Sequence, residues 1–86
     1  MALSMAEIVR EQAEYVKRSN VSVDVDSRFP WVDIEDNSDA EFAYHLEGDE
    51  AENFIKEARR LWNEADDVSW TTACYAAAKP YVESWA

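Results

Sequence analysis

Residues 21–36 read VSVDVDSRFPWVDIED. In Val21-Ser22-Val23-Asp24-Val25-Asp26 each apolar residue is followed by a polar or acidic one, the period of a strand with one dry face and one wet face. Trp31 to Asp36 predicts a second strand, with Val32 and Ile34 inward and Asp33 and Glu35 outward. Ser27-Arg28-Phe29-Pro30 joins the two, because Pro30 would break a central strand but suits a turn or an edge. Asp36-Asn37-Ser38-Asp39 predicts another turn, built from residues that hydrogen-bond their own backbone. Glu41 to Glu47 predicts a third strand, with Phe42, Tyr44 and Leu46 inward and Glu41, Ala43, His45 and Glu47 outward. Connections this short favour antiparallel neighbours in an up-down-up meander.

Helices flank this sheet. Ser4 followed by Glu7 is a capping signature, and Met5, Ile8, Val9, Ala13 and Val16 then recur at helical spacing, so a helix is expected from Ser4 to Arg18 and ends at Ser19-Asn20. Gly48 and Asp49 close the third strand and open a second helix. Its apolar stripe is Ala51, Phe54, Ile55, Ala58, Leu61, Trp62 and Ala65, with Asp49, Glu50 and Glu52 at its start and Arg59 and Arg60 near its end, as the helix dipole prefers. A third helix is expected from about Trp70, buried through Ala73, Cys74, Ala77, Tyr81 and Trp85, with Pro80 breaking or kinking it. The fold class is α+β, order α-β-β-β-α-α: a three-stranded antiparallel sheet with helices packed on one face, in a single domain spanning residues 1–86.

Charge is unevenly distributed along the chain. The net charge is −11, and residues 24–52 hold eleven of the nineteen acids against one base, Arg28. With 48% hydrophobic and 13% aromatic residues the chain is too apolar for a disordered acidic tail. The alternation therefore predicts an acidic, water-facing sheet surface opposite the helices. The single cysteine, Cys74, leaves no intrachain disulfide framework, and the opening residues carry a charge every few positions with no apolar run of signal-peptide length. No stretch has the roughly 18 apolar residues of a membrane span, and anionic lipid would repel this surface. The expectation is a cytoplasmic protein with no membrane partner.

Several chemistries are disfavoured on the same residues. Asp33, Glu35, Asn37, Asp39 and Glu41 place an oxygen at every second position, but a calcium loop needs glycine and glutamate where Ser38 and Tyr44 stand, so no metal is expected. His45 lacks a second histidine or a cysteine at ligand spacing; it reads as a surface histidine whose acidic neighbours favour its charged form. Cys74, in an alanine-rich helix, reads as a small buried residue. There is no phosphate-binding glycine loop, nucleophile elbow or Ser–His pair, and no cofactor or enzymatic activity is expected. Direct nucleic-acid binding needs a basic groove, whereas the organised patch here has the sign of phosphate itself.

The chain resembles, in size and charge pattern, the small acidic anti-defence proteins of phages and mobile elements, the anti-CRISPR and antirestriction DNA mimics. The resemblance is carried by a short domain, acidity concentrated on a sheet face and one helix start, and the lack of a catalytic motif. It implies non-enzymatic inhibition in the host cytoplasm by blocking the basic nucleic-acid-binding surface of a CRISPR effector or restriction enzyme. The partner-binding residues are then expected to be Asp24, Asp26, Trp31, Asp33, Glu35, Asp36, Asp39, Glu41, Glu47, Asp49 and Glu50. Trp31, on the acidic side by alternation, is the aromatic anchor, and Phe29 in the turn has a similar part, whereas Trp62, Trp70 and Trp85 are assigned to the core. Two other readings are an acidic adaptor or antitoxin that meets a basic protein, and a housekeeping domain of a salt-loving organism. Concentration of the net charge in one third of the chain argues against the last, because halophilic acidity covers every exposed face.

Overall fold

The computed structural model describes residues 3–39 and 41–85. The elements are α1 (Met5–Arg18), β1 (Val21–Asp26), β2 (Trp31–Asp36), β3 (Ala43–Glu47), α2 (Gly48–Glu64), α3 (Trp70–Ala77) and α4 (Lys79–Glu83). The α-β-β-β-α-α order is as expected, with the residues around Pro80 forming a separate short helix: Pro80 sits in the first turn of α4, where its missing N–H costs nothing.

The strands form one antiparallel sheet in the order β1-β2-β3. Val23 pairs with Ile34 and Val25 with Val32, while Val32 continues to Leu46 and Ile34 to Tyr44. Residues directly opposite one another share a face, so these side chains make one apolar sheet surface. Val32 and Ile34, on the central strand, are fully buried. The helices cover this surface with Val9, Ala13 and Val16 of α1, Ala51, Phe54, Ile55, Ala58 and Leu61 of α2, and Ala73, Cys74, Ala76 and Ala77 of α3. Val23, Val25, Tyr44, Trp70, Tyr81 and Trp85 close its margin, partly buried.

Local chemistry sets the junctions. The Ser4 hydroxyl accepts the Glu7 N–H and caps α1. Asn20 ends that helix in the left-handed region at φ 59°, which asparagine tolerates, and its carbonyl accepts the Asn37 N–H at 2.9 Å. The helix end is thereby tied to the turn between β2 and β3. Between β3 and α2 there is no loop: the chain reverses character at Gly48, whose φ of +57° is open to glycine at little cost.

Three expectations need correction. β3 begins at Ala43, so Glu41 and Phe42 lie before the strand, and Phe42 is 40% exposed at the rim, tilted against Trp85. Trp62 is not core; it is 44% exposed and meets Trp70 edge-on, because Ala51, Phe54, Ile55, Ala58 and Leu61 already fill the buried stripe of α2. The last turn of α2 holds no base: Arg60 instead bonds Glu57 and Glu64 on the same helix.

Candidate interaction face

The register that buries the valines also assembles the opposite surface. Its rows run Ser22–Glu35–Ala43, Asp24–Asp33–His45 and Asp26–Trp31–Glu47 across β1, β2 and β3. Asp24, Asp26, Asp33, Glu35 and Glu47 therefore share one face with Trp31 and His45, and no lysine or arginine occupies any of the nine positions. Apart from Arg28, the bases lie on helices: Arg10, Lys17 and Arg18 on α1, Lys56, Arg59 and Arg60 on α2, and Lys79 on α4. The helices also carry nine acids, Asp49, Glu50 and Glu52 among them, so the helical layer is nearly balanced while the strands and turns of residues 24–47 hold eight acids against Arg28 alone.

Some carboxylates are engaged by the backbone. Asp26 accepts the N–H groups of Arg28 at 2.9 Å and Phe29 at 3.3 Å, which fixes the hairpin turn and holds its carboxyl below the usual range, the nearby Arg28 guanidinium adding to the effect. Asp36 accepts from the Ser38 N–H and Asp39 from the Glu41 N–H in the same way. These bonds brace both turns.

His45 lies between two acids of the face. Its Nδ1 meets Asp33 across the strand pair, and its Nε2 is 2.7 Å from Glu47 Oε1 two residues along β3. The Asp33 and Glu47 hydrogen bonds, in that order, raise the imidazole above its ordinary 6.5. This is the acid-tuned surface histidine expected from the alternation. Among the described residues no group of three or more His, Cys, Asp or Glu is placed to hold a metal ion.

The expected site residues therefore divide. Asp24, Asp26, Trp31, Asp33, Glu35 and Glu47 are brought together on the sheet face. Asp36 is not: it pairs with Val21, a core residue, and so has inward parity at the strand end. Asp39 and Glu41 lie in the turn before β3, and Asp49 and Glu50 lie in the first turn of α2, at the edge of the helical layer. Trp31 is half-buried among acids, flanked by Asp26 and Glu47, while Phe29 at the hairpin tip is 75% exposed. His45 was absent from the expected partner-binding set, although it lies in the middle row; its i, i+2 spacing to Glu47 was the available signal.

Elsewhere, Cys74 is buried and its thiol is pushed up to about 11 by that burial, so it stays protonated. A surface hollow of about 680 Å³ is lined by α1 residues such as Ile8, Tyr15 and Arg18 together with Lys79, away from the acidic face. No helix among the described residues is long and apolar enough to cross a membrane. Compared with protein-family models, curated proteins and solved structures, the chain matches none.

Proposed function

We propose that this protein is a non-enzymatic inhibitor that sets its acidic sheet face against the basic nucleic-acid-binding surface of a partner, in the manner of the anti-CRISPR and antirestriction DNA mimics. The observation that carries the reading is the face itself: five carboxylates at neighbouring positions of one sheet, with no lysine or arginine among them. Adjacent strands lie about 4.8 Å apart and same-face residues about 6.7 Å apart along a strand, so the carboxylates form a two-dimensional array. Duplex DNA likewise presents closely spaced fixed anions, one per roughly 1.7 Å of axis, to proteins whose lysines and arginines neutralise them. The buried central strand and the backbone-capped turns make the array rigid, which lowers the ordering cost of binding.

Trp31 and Phe29 add an apolar component beside the acids, and the partner side chains that suit them are aliphatic stems and rings next to lysine and arginine. Near balance on the helices, nine acids against seven bases, beside eight acids against one base in residues 24–47 supports a directed face over the evenly acidified surface of a halophile. An acidic adaptor or antitoxin would use the same face on a basic partner that does not handle nucleic acid. The test is capture of partners from a bacterial lysate at low salt, elution at high salt, and measurement of whether the protein displaces nucleic acid from the captured partner. A displaced duplex or guide RNA supports mimicry, and a partner that binds neither contradicts it.

A further inference from the structure

The Asp33–His45–Glu47 contact is complete in one protonation state of the ring. A carboxylate at neutral pH accepts hydrogen bonds and donates none, and a neutral imidazole has a single N–H. A neutral His45 would donate to one acid and turn its bare nitrogen toward the other, lone pair against lone pair. The imidazolium donates to both, and both ring nitrogens here meet carboxylate oxygen.

The surroundings of the ring share one sign. On β2, Asp33 is opposite and Glu35 lies one outward position along; on β3, Glu47 is the neighbour; on β1, Asp24 stands beyond Asp33 in the same row. β3 is an edge strand, and the helices cover the other face of the sheet. The nearest base by register is Arg28, which is 3.9 Å from Asp26 at the far corner of the face. Among the described residues, protonated His45 is thus the cation placed between Asp33 and Glu47, with Arg28 confined to the Asp26 corner.

We propose that the proton on His45 gates the acidic face: the charged ring occupies Asp33 and Glu47, and loss of that proton frees both carboxylates for the lysines and arginines of a partner. The proposal concerns the regulation of the face described above and rests on that reading for the kind of partner, though not for the proton itself. A cation that binds at Asp33 and Glu47 displaces the imidazolium's hydrogen bonds, and the ring gives its proton to solvent. Binding therefore strengthens as pH rises, and levels off above the pH at which the free protein has lost the proton. For one proton the affinity changes by at most about tenfold per pH unit. The hydrogen bonds to Asp33 and Glu47 raise the His45 value, so the effect is displaced upward from the ordinary histidine value.

The test uses an oligo-arginine peptide as the probe, at constant ionic strength, between about pH 5 and pH 8, the span in which histidine changes charge. The wild-type protein is expected to bind the peptide more tightly as pH rises, and calorimetry in two buffers of different ionisation enthalpy should show release of a fraction of a proton. His45→Gln, which cannot carry the charge, should bind with a nearly flat pH profile. Flat binding by the wild type, no proton release, or the same profile in wild type and variant overturns the proposal, as does failure of the peptide to bind at any pH. Should the variant fail to fold, the wild-type proton count decides alone. Peptide binding without proton release leaves nucleic-acid mimicry standing, whereas a natural partner that handles no nucleic acid overturns mimicry and leaves the gate intact.

Discussion

Asp24 on β1 and Asp33 on β2 stand directly opposite each other across the antiparallel pair, with Val25 opposite Val32 at the next position. Like charges in such a pair destabilise a sheet, and the adjacent valine pair stabilises it. The hairpin thus tolerates electrostatic strain on one face because the other face is buried. Asp24→Asn should relieve that repulsion and raise stability by about 0.2–1 kcal/mol while weakening partner binding. Urea denaturation at low and moderate salt would check this, with the gain shrinking as salt increases; a destabilised variant would mean that the Asp24 carboxylate has an attractive partner.

Salt should act on the whole face as it does on that pair. Screening of the clustered acids, with a Debye length near 10 Å at about 0.1 M salt, is expected to raise the melting temperature by a few degrees, since a domain of this size gains about 4–8 °C per kcal/mol. A melting temperature indifferent to salt between low and moderate ionic strength would show that the acids repel each other too weakly to constitute a patch.

His45 gives mild acidification a definite sign. Its folded value lies above its ordinary one, so its contribution to stability is fully present below about pH 6.5 and is lost as pH rises through the raised folded value. Asp26 has the opposite sense: its value is depressed, and its contribution is lost as pH falls through that depressed value. Stability should therefore rise as pH is lowered from about 8 to about 6 and fall again in strong acid. Proton NMR titration should place His45 above 6.5 and return it toward that value in Asp33→Asn with Glu47→Gln; an unshifted wild-type histidine would contradict the contact.

The core is centred on β2. Ile34→Ala leaves a cavity in a fully buried site and should cost about 2–5 kcal/mol, a large part of the stability of so small a domain. Trp62→Ala removes a half-exposed ring in edge contact with Trp70 and should cost about 1–2 kcal/mol. Chemical denaturation of both variants gives the ranking, and a larger loss at Trp62 would place that residue in the core after all.

Much of this fold could be read from strand alternation, because a period of two makes one face of each strand follow from the other. Val23, Val25, Val32 and Ile34 each had a neighbour of opposite character, so the core and the acidic face were legible together. Asp36 carries the inward parity of Val32 and Ile34, yet its turn-forming neighbours drew it into the acidic site; pairing with Val21 shows which side it takes. Glu41 missed the strand because Asp39 caps its N–H and extends the turn. Trp62 lies at the margin of a helical stripe that smaller residues complete, and periodicity does not distinguish the margin from the centre. The Asp33–His45 contact needed the β2–β3 register, which no single strand contains.

The most direct test of the acidic face compares two triple charge reversals by their power to displace duplex DNA or guide RNA from the captured partner. Asp24→Lys, Asp33→Lys and Glu35→Lys fall on neighbouring positions of the face, whereas Glu7→Lys, Glu14→Lys and Glu83→Lys fall on α1 and α4. The two proteins have the same net charge, so bulk electrostatics does not separate them. Exposed pairs such as Glu14 with Arg18 contribute about 0–1 kcal/mol, while desolvated charge pairs at an interface contribute several. The face triple should lose more than about a hundredfold in competing strength and the helix triple less than about tenfold, since tenfold is about 1.4 kcal/mol. Equal losses in the two, or full activity of the face triple, would contradict a binding surface on this sheet.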